Sequence, residues 1–278
     1  MKMPLACLFV IAAELAPSPA AAQSCTPLPG AKELRDGSRP DFVIMGEAHG
    51  TAELPAAFAD LVCAYAGTGK PVSVGLELMP AEQGALEAYL ASNGDPAAKT
   101  ALLASPAWAI RDGRASQAIF DLIEKLRRLR RAHPALSVVA FDHPSEKPGT
   151  SAAREKGMAD LLLAAKQARP DAPLLALTGI GHAGKSEWTS LGPPFPAMSQ
   201  FLPADRTVAV AFHVAGGEVW ACRRPAENAP EECGARPVTV HGAERPRGLS
   251  VGSDRKGFDA TISVGSDFSA SPPARAGA

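Results

Sequence analysis

The chain has 278 residues, 46% of them apolar and 21% charged, which is the composition of an ordinary globular domain with one sizeable core. Its 28 basic and 29 acidic residues leave a net charge of −1, so no global field draws it to nucleic acid or to an anionic membrane surface. A small-molecule partner is the expectation that remains.

Lys2 precedes an apolar stretch, Leu5 to Ala16, that is interrupted by Glu14 and followed by Pro17-Ser18-Pro19 and Ala20-Ala21-Ala22. This is the pattern of a secretory signal cut after Ala22. No later run approaches the roughly 20 apolar residues of a membrane span, so residues 23–278 are expected as a single periplasmic or secreted domain. Removal of Cys7 with the signal leaves Cys25, Cys63, Cys222 and Cys233. An even number in an oxidising compartment predicts two disulfides. Cys222 pairs with Cys233 across a short loop, a closure worth about 3 kcal/mol, and Cys25 pairs with Cys63 by elimination. Zinc is the rival for these sulfurs, without a C-x-x-C spacing to support it.

Short apolar runs bounded by Pro, Gly or charge predict strands at Phe42–Met45, Val72–Leu76, Leu136–Phe141, Leu174–Leu177 and Val208–Phe212. Helical periodicity lies between them at Leu54–Ala66, Ala81–Ala91, Ser116–Ala132 and Ala152–Ala168. In the third helix Lys125, Arg127, Arg128, Arg130 and Arg131 line the face opposite the apolar stripe, as a solvated face would. Alternating strands and helices predict a three-layer α/β fold, a mainly parallel central sheet with helices on both faces. Val214–Trp220 reads as a hairpin turning on Gly216-Gly217, which gives the sheet an antiparallel C-terminal edge. Gly242–Gly257 reads as a loop, Ala260–Val264 as one more strand, and the end of the chain, from Ser271, as an irregular tail.

Acidic residues and histidines stand where the predicted strands end: Glu47 and His49, Glu77, Asp142 and His143, His182, and His213. Ligands of open α/β sheets bind beyond the carboxyl ends of the strands. A single His or Glu there is commonly a helix cap or a solvated loop residue. The repetition points instead to a shared site, either acid–base machinery acting on water or a set of metal ligands. Gly179–Ser186 satisfies the phosphate-loop pattern G-x-x-x-x-G-K-[ST], but Gly192-Pro193-Pro194 follows too closely for the helix such a loop requires. Neither G-x-S-x-G nor H-E-x-x-H occurs.

Gly46-Glu47-Ala48-His49-Gly50-Thr51-Ala52-Glu53, together with Leu76-Glu77-Leu78, Arg154, Met158-Ala159 and Gly179-Ile180-Gly181-His182-Ala183, resembles the superfamily that joins erythromycin esterases, ChaN-like haem-binding proteins and the Tiki/TraB group. The opening motif is similar to the esterases' G-E-x-x-H-G-T-x-E with one residue fewer between Glu47 and His49. The resemblance runs from about Asp41 to His213, and the order of its short motifs carries most of its specificity. It implies an exported hydrolase that cleaves an ester, lactone or amide with His- or metal-activated water. His49 would be the general base, Glu47 and Glu77 would orient and tune it, and His182 and Arg154 would handle substrate or oxyanion. Glu53, Asp142 and His143 are further candidates for substrate binding. In the Tiki-like branch Glu47, His49, Glu77 and His182 would hold a divalent metal. The alternative is a non-catalytic haem- or metal-binding protein, for which Tyr65 and Tyr89 are the tyrosines available as axial ligands. Asp112-Gly113-Arg114 reads as a turn, with Arg114 able to reach an anionic substrate; Trp108 and Trp220 read as packing residues.

Overall fold

A computed structural model describes residues 25–144, 152–189, 194–226, 229–239 and 242–275; the signal segment read in residues 1–22 lies outside the described residues. Each strong apolar run is a strand. β1 (Phe42–Glu47), β2 (Val72–Leu76), β3 (Leu136–Ala140), β4 (Leu174–Gly179) and β5 (Thr207–Phe212) run parallel in the order β3-β2-β4-β1-β5. β4 is therefore inserted between the first two strands, and β1, β4 and β2 are immediate neighbours.

The helices are α1 (Ala31–Gly37), α2 (Glu53–Ala66), α3 (Gln83–Ala91), α4 (Pro96–Leu103), α5 (Gln117–Ala132), α6 (Ala152–Ala168) and the single turn α7 (Ile180–Ala183). Successive strand residues point to opposite faces. Val43, Met45, Leu175 and Leu177 pack with α2 and α5 on one side, while Phe42, Ile44, Leu174 and Ala176 pack with Met158, Ala159 and Leu162 of α6 on the other. Burial on both faces is why these strands read as continuous apolar runs. Among the described residues no helix is long and apolar enough to cross a membrane.

The basic face of α5 is solvated only in part, at Arg128 and Arg131. Arg127 is buried and donates to Glu124, Lys125 pairs with Asp60 of α2, and Arg130 pairs with Glu87 of α3. Asp60 and Glu87 come from neighbouring helices, which the periodicity of α5 alone does not reveal.

The C-terminal part differs from the expectation in two places. No hairpin turns on Gly216-Gly217, because the edge of β5 that it would need is taken by β9 (Ala260–Ser263), which runs parallel to β5. The antiparallel edge exists, but it is β8 (Gly248–Val251) beside β9, inside the segment read as a loop. β8 buries only Leu249, so its apolar signal is weak. β6 (Glu218–Arg223) and β7 (Glu232–Pro237) instead form a separate antiparallel ribbon, and its cross-strand neighbours Cys222 and Cys233 are disulfide-bonded. The second disulfide, Cys25–Cys63, ties the start of the described chain to α2.

The tail has neither helix nor a named strand, yet it is docked. Ser271 is buried, and its hydroxyl accepts the Ala118 N–H at 2.9 Å; the Gln117 N–H donates to the Pro272 carbonyl at 2.7 Å, and Ser116 caps the Ile119 N–H. The N–H groups of the first turn of α5, which have no partner within the helix, are thus satisfied partly from the far end of the sequence. Ser271→Ala leaves a buried N–H without its acceptor and should lower the unfolding free energy by about 1–2 kcal/mol in urea titration. An unchanged midpoint would show that the tail contributes nothing to α5.

Candidate active site

Parallel strands deliver their last residues to one edge of the sheet, and the three central strands place Glu47, Glu77 and the β4–α7 turn side by side. Glu77 is the hub. Its Oε2 accepts the Thr178 hydroxyl and the Gly179 N–H, each at 2.7 Å, and its Oε1 accepts Arg154 Nη2 at 3.1 Å. His49 Nε2 lies 3.7 Å from Oε2, and His182 Nε2 lies 3.7 Å from Oε1. Gly179 is required here for space as well as for its N–H, since a Cβ on it would stand 2.7 Å from His49 Nε2.

The two histidines are held differently. His49 is half-buried, and its Nδ1 meets Glu47 Oε1 at 2.9 Å. His182 is buried, with Nδ1 between the two oxygens of Glu155 at 2.8 Å and Nε2 3.0 Å from Arg154 Nη1. A guanidinium can only donate, so His182 Nε2 is the acceptor and its proton sits on Nδ1, facing Glu155. Both ring nitrogens are then engaged. Glu155 also accepts the Met198 N–H at 2.9 Å, and Arg154 binds Asp142 through Nε at 3.0 Å and Nη2 at 2.6 Å.

Electrostatics follows from this arrangement. Burial disfavours charge on both Glu77 and His49, but each outweighs that cost by facing the other. The His49 pKa is pushed up to about 9 by the Glu77 charge and the Glu47 hydrogen bond. Against the same burial, the His49 charge and the Arg154 guanidinium, with the Gly179 N–H, hold the Glu77 carboxyl well below the usual carboxylate range.

Glu47, His49, Glu77 and Arg114, with Leu76 and Leu177, surround a small cavity of about 10 Å³, the room of one water molecule. Glu47 Oε2 is buried without a hydrogen-bond partner. Next to it, Leu78, Met79, Pro106, Ala107 and Ile110 line a largely apolar cleft of about 300 Å³ that reaches Glu77, Asp142 and Arg114. Arg114 is fixed by Asp112 through Nε and Nη2; Asp112-Gly113-Arg114 is the expected turn, and it also delivers a cation to both cavities. The β6–β7 ribbon braces these loops, because the Trp220 N–H donates to the Gly50 carbonyl and its indole N–H to the Arg111 carbonyl, each at 2.9 Å.

Glu155 and Thr178 were missed entirely. Glutamate in a first helical turn reads as ordinary dipole compensation, and a strand threonine as β propensity. Of the remaining candidates, Asp142 joins the network through Arg154. His143 lies half-buried against Gly157 of α6, with Nδ1 3.0 Å from the Pro144 carbonyl. Glu53 accepts the Ser269 N–H at 3.0 Å, and His213 Nε2 meets the Ala243 carbonyl at 2.7 Å; neither reaches the cluster. Lys185 of the phosphate-loop pattern pairs with Asp259 at 2.7 Å. Trp108 is a core residue against Phe120.

The residues do not fit a divalent metal. The Arg154 guanidinium stands where a cation would join Glu77 to His182, and Glu47 occupies one nitrogen of His49. Among the described residues the one triad with converging ligand atoms is Cys222, Glu231 and Cys233, whose sulfurs are joined to each other. Haem ligation by tyrosine does not fit either: Tyr65 and Tyr89 are core residues, and the Tyr89 hydroxyl donates to Glu124.

No family model and no curated protein matches the chain. Solved structures match its fold. Erythromycin esterase EreC in its open conformation aligns with a TM-score of 0.66 over 88% of this chain and 94% of that one, at 13% identity. A succinoglycan biosynthesis protein aligns at 0.63 over 89% and 93%, with 11% identity, and a Bacillus cereus protein at 0.58 over 88% and 93%, with 12% identity. At these identities the likeness is one of fold, and the fold is the one the sequence resemblance implies.

If Glu77 is the main source of the raised His49 pKa, an imidazole NMR titration should place His49 near 9 in the wild type and well below that in Glu77→Gln. A wild-type midpoint at or below about 6.5 would contradict the described pairing.

Proposed function

We propose that the protein is an exported hydrolase that cleaves an ester, lactone or amide with water activated by His49 and without a metal. The observation that carries this reading is the one-water cavity, which brings together a half-buried imidazole, a buried carboxylate oxygen of Glu47 that lacks a partner, and the Arg114 cation. The shared fold with an erythromycin esterase is consistent with it, and the two disulfides suit an exported protein.

In this mechanism neutral His49 takes a proton from water through Nε2 while Nδ1–H remains on Glu47, so that the imidazolium is stabilised as it forms. The hydroxide adds to the substrate carbonyl carbon, and the carbonyl π pair moves to oxygen, where Arg114 faces the developing charge. Collapse of that intermediate breaks the bond to the leaving group, and His49 returns its proton to the departing oxygen or nitrogen. Glu77 sets the charge beside His49. His182, with neither nitrogen free, positions Arg154, which in turn holds Glu77 and Asp142 at the strand ends. Apolar parts of the substrate occupy the Leu78–Met79–Ile110 cleft.

A pKa of about 9 leaves roughly one molecule in a hundred with neutral His49 at pH 7. Activity should therefore rise with pH: kcat/KM on a panel of aryl esters and lactones climbs about tenfold per pH unit from 7 and levels off above 9. His49→Ala should lower kcat/KM between about 100- and 10,000-fold with the circular dichroism spectrum unchanged. Wild-type turnover in His49→Ala would remove its assignment as base. Exhaustive chelation should leave the rate intact, whereas loss restored by an added divalent ion would establish a metal enzyme.

A further inference from the structure

The amino-terminal edge of the sheet, opposite the active site, carries a second cavity. Asp41, Pro173 and Pro71, the residues directly before β1, β4 and β2, line a space of about 580 Å³, within the range of small-molecule sites and nearly twice the volume of the cleft at the other edge. Pro40 and Pro170 complete a frame whose φ angles are locked, so the cavity is formed before anything binds. Tyr65 in its wall is buried, and its hydroxyl lacks a hydrogen-bond partner.

The charges around this cavity divide into two kinds. Asp36 is held by Arg35 at 2.7 Å and Lys32 at 3.1 Å, and Asp41 by Lys166 and Arg206, both at 2.9 Å. Each carboxylate therefore already has two cations. Arg35 and Lys166 also stand in the last turns of α1 and α6, where the helix dipole favours a positive charge, so their presence needs no ligand. Arg39 and Lys70 are different. Both are exposed, neither lies in a helix, and among the described residues neither has an ion-pair partner. Arg39 also has φ of 45°, the left-handed region that glycine or asparagine occupies at lower cost. An arginine kept in strained backbone at the mouth of a preformed cavity points to a use for its charge. Asp171, likewise without an ion-pair partner among the described residues, supplies an acceptor for hydroxyl groups on the same wall.

We infer that this cavity binds a small polyhydroxylated anion, its carboxylate or phosphate set against Arg39 and Lys70 and its hydroxyls against Asp171. The site is separate from the hydrolytic one and does not depend on that reading. The test is isothermal titration calorimetry of the mature full-length protein at low ionic strength with glucuronate and with glucose 6-phosphate, using glucose as the uncharged control. Saturable binding of at least one anion is expected, with glucose silent, and the anion that binds tells a carboxylate site from a phosphate site. Lys70→Ala and Arg39→Gly should each weaken binding about tenfold or more, the loss of one charge-assisted contact. Arg39→Gly suits its backbone angle, so it should keep or raise the melting temperature, which separates lost binding from lost folding. Absence of binding of both anions to the wild type, or undiminished binding in either variant, would overturn the inference.

Discussion

A carboxylate at the end of a strand buried on both faces has to be surrounded by donors, and the carboxyl edge of this sheet is arranged to supply them to Glu77. The Thr178 hydroxyl, the Gly179 N–H and the Arg154 guanidinium bond it directly, and the imidazoles of His49 and His182 stand 3.7 Å away. Those groups come from β4, α6, the loop after β1 and α7. One charge therefore ties α6 and α7 to the ends of the three central strands. Removing it would leave His49 with Glu47 alone and Arg154 with Asp142 alone in a poorly solvated space, and losing one partner of a buried ion pair is costly.

The same hub separates the two histidines. His182 is closed in by Glu155 on one side and Arg154 on the other, so it orients neighbours and has no nitrogen left for a substrate. His49 lines the one-water cavity with only its Nδ1 tied to Glu47, its Nε2 3.7 Å from Glu77, and gains basicity from the two carboxylates. The arginines divide in a parallel way. Arg154 is locked among Glu77, Asp142 and His182, and Arg114, tethered only to Asp112 among the described carboxylates, faces the space where a substrate carbonyl would lie.

Most of this edge was legible because burial on both faces writes itself into sequence. Val72–Leu76 and Leu174–Gly179 announce strands, and a Glu or His at the end of each announces the site. What the sequence does not carry is strand order: nothing in it says that β4 lies between β1 and β2, and that insertion is what brings His182 and Thr178 to Glu77. Short-range signals were also passed over. Asp95-Pro96 is an N-cap followed by proline at the first helical position, and the Asp95 side chain does accept the Ala98 N–H at 2.9 Å to start α4. β8 escaped notice because one buried residue makes no pattern. The docked tail leaves little trace because the acceptors it offers α5 are one backbone carbonyl, which any sequence would provide, and the hydroxyl of a single serine.

The central claim is that water, and neither glutamate, attacks the substrate. A single turnover of an aryl ester with enzyme in excess, run in heavy-oxygen water, detects a glutamyl anhydride that water opens at the glutamate carbonyl. Direct attack by His49-activated water predicts one heavy oxygen in the released acid and none in the peptides that carry Glu47 and Glu77. Label in either glutamate would mean that a carboxylate had formed an acyl intermediate and been regenerated by water, and it would contradict the role assigned to His49.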